Sequence, residues 1–102
     1  LDDAFLVNAS LDKLCGELKD EESGDSVHLY SDRDTWVVYS MGGIPEDIYP
    51  ARDKGKMAKE FEALALEAQF LPDAINNDGF GDIVLPANTE KTYTIAFEYH
   101  KG

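Results

Sequence analysis

A run of good helix formers between residues 53 and 71 limits what this chain can fold into more than any other stretch. Met57, Phe61, Leu64, Ala65, Ala68 and Leu71 are apolar and recur at steps of three, four and one. At ~100° per residue they fall on one side of a helix, as expected of a helix packed on a core. Pro50 precedes the segment, Asp53 suits the N-cap, and Pro72 cannot continue the ladder. Gly55 costs about 1 kcal/mol, but in the first turn, where helices fray. A second row, Lys59, Ala63, Leu66 and Phe70, lies on the opposite side. A surface helix should be polar there. Either the chain returning through residues 72–81 covers Leu66 and Phe70, or they form a partner or dimer face.

Residues 3–20 read as a first helix, with Ala4, Val7, Leu11, Leu14, Cys15 and Leu18 on one stripe. Asp2 and Asp3 suit its positive end. Phe5 and Leu6 fall off the stripe. They are either exposed contact residues, or residues 4–8 are a short strand and the helix starts with Ser10 as its cap. One helix is the reading adopted. After the acidic break at residues 20–25, residues 26–31 and 35–41 alternate as two strands, joined as a hairpin by Asp32-Arg33-Asp34. Residues 44–52 form a loop with two prolines. Residues 82–86 read as a short strand. In residues 92–100, Tyr93, Ile95, Phe97 and Tyr99 face one way and Thr94, Ala96, Glu98 and His100 the other.

The order αββαββ predicts a single α+β domain over residues 1–102. Its expected form is a two-layer sandwich, a four-stranded antiparallel sheet with two helices on one face. A ferredoxin-like fold, or a circular permutation of one, has a compatible order. The uncovered face would then carry His28, Tyr30, Thr94, Glu98 and His100.

The chain has 21 acidic and 9 basic residues, a net charge of −12. Such a balance repels nucleic acid and anionic membranes, so neither direct nucleic-acid binding nor membrane binding is expected. It favours a basic protein partner or cations, although acidity also serves solubility alone. No apolar run is long enough to span a bilayer, and no charged-then-apolar leader is present. The chain opens on Leu1 rather than Met, which is compatible with a processed terminus. Cys15 is the sole cysteine. It reads as a structural thiol and agrees with a reducing, cytoplasmic setting.

Three patterns bear on chemistry. Aligning Gly79 with the invariant glycine of a calcium loop places Asn76, Asp78 and Asp82 at ligand positions. Ala74 and Leu85 then occupy two others, the bidentate one included, so two key ligands are missing. Asn-Asn-Asp-Gly is equally a tight turn. His28 and His100, with Glu98 nearby, could form a metal or acid–base pair, but nothing supplies a third ligand by helical spacing. No nucleophile elbow or phosphate loop is present, and no motif implies a cofactor.

These features favour binding over catalysis. The leading expectation is an acidic protein-interaction module, acting on a basic partner as an inhibitor, an immunity-type protein or a nucleic-acid mimic. The alternative is a dimeric small-molecule domain with a pocket between sheet and helices, lined by Trp36, Tyr39, Phe61, Phe97 and Tyr99. An enzyme using His28 or His100 ranks last. Tyr30, Trp36, Tyr39, Leu66, Phe70, Tyr99, His28 and His100 are the candidate contact residues. Leu66, Phe70, Phe5 and Leu6 also suggest a homodimer.

Overall fold

The computed structural model describes residues 1–51 and 54–102. Among them are six strands: β1 (Asp2–Leu6), β2 (Gly16–Lys19), β3 (Ser26–Ser31), β4 (Thr35–Tyr39), β5 (Ala65–Gln69) and β6 (Ile95–His100). They form two three-stranded antiparallel sheets, in the orders β1-β4-β5 and β2-β3-β6. A short 3₁₀ turn spans Ala74–Asn76.

The expected α+β sandwich is therefore overturned, and the ferredoxin-like order with it. Residues 53–71 show why. Lys54, Gly55 and Phe61 have φ of 55°, 73° and 63°, left-handed values that a right-handed helix cannot contain. Phe61 is 68% exposed and Met57 41%, so the anticipated stripe covers no core. The buried positions instead alternate. On β5, Leu66 and Ala68 lie opposite Val38 and Trp36, while Glu67 and Gln69 lie opposite Val37 and Thr35. The small Ala68 leaves room for the indole of Trp36, and this tertiary fit overrides helix propensity. The proposed N-cap Asp53 falls outside the described residues.

The first helix gives way to β1 and β2, close to the alternative in which residues 4–8 are a strand. The helix that this alternative starts at Ser10 does not form either; Ser10 only closes a turn. Its hydroxyl accepts hydrogen bonds from the Asp12 and Lys13 amides, at 3.1 and 2.8 Å, and the turn goes no further. Ser10 also bridges to Ser31, which commits the backbone to extended pairing.

Strand β3 stands where expected and β4 two residues shorter, ending at Tyr39 before the left-handed Met41; both are rich in β-branched and aromatic residues, but they are not a hairpin. β3 pairs with β2 and β6, whereas β4 pairs with β1 and β5. Asp32-Arg33-Asp34 carries the chain from one sheet to the other. Residues 82–86 are not a strand.

The sheets meet at a small core of Leu29, Trp36 and Ala68, flanked by Val7, Cys15, Val27 and Leu66. Trp36 sets its ring edge against Phe97, with centroids 5.7 Å apart. Each sheet has a second face turned from this core. Pairing places Glu67, Gln69, Val37 and Tyr39 together on that face of the first sheet. It places Glu17, His28, Glu98 and His100 together on that face of the second. No described helix is long and apolar enough to cross a membrane.

Candidate functional site

The sheet-to-sheet crossover is held by hydrogen bonds. Ser31 and Thr35, both fully buried, bracket it. The Ser31 hydroxyl donates to the Thr94 carbonyl and accepts from the Arg33 amide, while Thr35 donates to Asp34 Oδ1. The Asp32 carboxylate accepts from the Thr94 amide at 3.0 Å. These contacts fix the backbone from which Arg33 projects.

Arg33 lays its guanidinium 4.1 Å from the centroid of Tyr93 and 5.4 Å from that of Phe70. The two rings meet edge to face at 5.6 Å. Cation–π attraction of this kind holds the guanidinium against the rings. Its Nε is buried and has no hydrogen-bond partner among the described residues. Arg33, Gln69, Phe70, Asp73, Lys91 and Tyr93 line part of a groove of about 530 Å³, a size typical of small-ligand sites.

Gly81 shapes this groove. Its φ is 111°, and a Cβ there would lie 2.6 Å from the Phe70 ring. Gly81→Ala would strain the backbone and push Phe70 off Arg33. It is expected to cost about 1–3 kcal/mol, read as a lower midpoint in thermal denaturation.

Glu67 does not line this groove but touches Gln69, which does. This carboxylate is exposed on the face of β5 turned from the core, and its Oε2 accepts a hydrogen bond from Gln69 Nε2 at 3.2 Å. Gln69 thus belongs to both places, lining the groove and touching the carboxylate. A strand places Glu67, the Gln69 amide hydrogen-bonds it, and its exposure leaves it open to solvent or a ligand. An accessible, positioned carboxylate is a group able to accept a proton.

The structure brings His28, Glu98 and His100 together on the other sheet, where their ligating atoms all lie within 4.8 Å of one another. The imidazole centroids are 4.0 Å apart. The remaining sequence candidates are scattered. Trp36 is in the core, Leu66 is half-buried beside it, and Tyr30 is on β3. Tyr39 donates to the Gly42 carbonyl. Tyr99 donates to Asp25 Oδ2, a bond that raises its pKa. Phe70 is the one that reaches the groove. Of the calcium-loop residues, Asn76 donates to Asp73 Oδ1 and Asp78 lines a neighbouring depression. Asp82 accepts from the Val84 amide and pairs with Lys91, and these contacts lower its pKa in that order.

Sequence reasoning missed Arg33, Glu67, Gln69 and Tyr93. One signal was there to use. Glu67 interrupts the apolar run Ala63-Leu64-Ala65-Leu66 and Ala68, which on a strand puts a lone carboxylate on the open face.

The sequence model of the aldose 1-epimerase family matches residues 1–98. An aldose 1-epimerase of Streptococcus thermophilus is 48% identical over 96% of this chain, which covers 29% of that protein. A maltose epimerase of Levilactobacillus brevis is 40% identical over 96% of the chain, covering 27% of its length. The chain thus spans less than a third of the curated relatives it matches. No solved structure is significantly similar to it. These matches overturn the acidic protein-interaction module, and with it the expectation of protein binding without a recognisable activity. The aromatic-pocket alternative falls too. Trp36 and Phe97 pack together, whereas Phe61 lies against Gly42 and Tyr39 occupies the other face. Net charge misled because it governs solubility and association and does not report on chemistry.

Proposed function

The chain belongs to the aldose 1-epimerase family, and on that premise we propose that it supplies the general base of a sugar-epimerising site, Glu67. Interconverting the two anomers of an aldose needs no redox partner. A base takes the proton from the C1 hydroxyl, the C1–ring-oxygen bond breaks, and the ring oxygen takes up a proton from water, which the base's proton replaces. The C1 carbonyl then turns over, and the reverse steps close the ring on its other face. Atoms and electrons balance without a co-reactant. Each proton transfer is a step that a positioned side chain accelerates about 10²–10⁴-fold.

The observation that carries this reading is the hydrogen bond of Glu67 with Gln69, a residue that lines the Arg33 groove. A pyranose presents a ring of hydroxyls and a patch of C–H. Gln69 and Arg33 offer donors for the hydroxyls, and Phe70 and Tyr93 offer apolar surface. Both relatives are named for epimerising sugars, an aldose in one case and maltose in the other. The same reading takes a cytoplasmic setting, supported by the single thiol of Cys15, which lies against the carbonyls of Asn8 and Ser10.

The test is a chimera in which this chain replaces the matching segment of the Streptococcus thermophilus enzyme. Exchange between α- and β-glucose, followed by NMR, should run well above the spontaneous rate. A folded chimera that leaves the spontaneous rate unchanged would overturn the proposal.

A further inference from the structure

We propose that His28, Glu98 and His100 form a binding site for a divalent transition-metal ion of the zinc type, on the sheet opposite to Glu67. The strand register makes the site. His28 on β3 lies directly opposite Glu98 on β6, and His100 follows two residues along, on the same face. On the other flank, Glu17 of β2 lies opposite His28 and sets Oε1 3.4 Å from its Nε2. Strands β3 and β6 thus bring two imidazoles and one carboxylate together, and β2 adds Glu17 against His28 alone.

The donor set suits zinc. Imidazole nitrogen and carboxylate oxygen are its usual protein ligands besides thiolate. Tetrahedral bonds of ~2.0–2.1 Å put ligand atoms about 3.3 Å apart. The three ligating atoms already lie within 4.8 Å of one another. Closing the difference takes small side-chain rotations, and the exposed Glu98 and His100 have room for them. His100 Nε2 meets Glu98 Oε1, and the two imidazoles stack at 4.0 Å. Two imidazoles this close gain little from each other in water, whereas a shared cation uses both. Glu17 would act as the carboxylate that orients a ligating imidazole. The net charge of −12 adds a field that draws cations in. The site lies outside the Arg33 groove, so this inference stands independently of the epimerase reading.

Titrating the full chain with ZnCl₂, by calorimetry and by NMR of the imidazole protons, tests it. The expected result is saturable one-to-one binding that shifts both histidines and raises the thermal midpoint. His100→Ala, which removes a side chain exposed on the last strand, should weaken binding at least about tenfold, and so should Glu98→Gln. Equal Mg²⁺ should not compete, because it prefers water and oxygen ligands. Undiminished binding in both variants, full competition by Mg²⁺, or no saturation at millimolar zinc would each overturn the site.

Discussion

Glu67→Gln is expected to lower the anomer-exchange rate of an active assembly containing this chain by about 10²–10⁴-fold. The substitution keeps the side chain's length and leaves it exposed on β5. It removes the carboxylate's charge and basicity, while the amide oxygen can still take the hydrogen bond from Gln69. Stability and sugar affinity should therefore change little, and the loss should fall on kcat. Glu67→Asp keeps the base but draws it back by a methylene, so it should retain more activity than the amide. Gln69→Ala frees the carboxylate without removing it, and a smaller loss is expected because orientation alone is affected. NMR exchange rates at saturating sugar, with urea unfolding as a control for folding, separate these cases. A Glu67→Gln variant as fast as the parent would remove Glu67 from the chemistry and return the search to the histidines.

The fold was legible where side-chain chemistry and local propensity agree. Val27 and Leu29 alternating with His28 and Tyr30, and Ile95, Phe97 and Tyr99 alternating with Ala96, Glu98 and His100, are the patterns of β3 and β6. β5 was misread because Ala-Leu-Glu-Ala-Gln carries helix propensity in every residue. The warning lay in the apolar residues on both sides of the imagined helix. Leu66 and Phe70 opposite Leu64 and Ala68 violate a surface helix, but they are ordinary for a strand and the segment beyond it. The pairing partners of β3 and β4 could not be read from their turn. Asp32-Arg33-Asp34 fits a hairpin as well as a crossover, and the long-range bonds from Asp32 and Ser31 to Thr94 decide between them.

The site was less legible for a related reason. His28, His100 and Glu98 were singled out because their chemistry is conspicuous, and strand alternation was enough to place them on one face. Arg33 and Tyr93 are far apart in the chain and meet through the crossover. Glu67 looked like one more solvated acid among 21 acidic residues until β5 became a strand. Misassigning five residues therefore hid the carboxylate that matters most to the proposed chemistry.

Trp36→Ala should cost about 3–5 kcal/mol, read from urea unfolding at constant m-value. Trp36 is 3% exposed, and among the described residues its buried cluster holds only Leu29 and Ala68 besides. In so small a core one indole carries an outsized share of the buried area. Domains of this size have about 5–15 kcal/mol in total, so the variant should be largely unfolded on mild heating. Trp36→Phe distinguishes the contributions. The indole Nε1 is buried without a hydrogen-bond partner among the described residues, and an unsatisfied buried donor costs about 1–3 kcal/mol. Phenylalanine removes that donor and keeps an aromatic edge toward Phe97. Its loss should be less than half that of alanine. Both variants lack the only tryptophan, so far-UV circular dichroism must replace fluorescence as the probe. If phenylalanine costs as much as alanine, the donor is satisfied in solution and the indole is held by its hydrogen bond as well as by its packing.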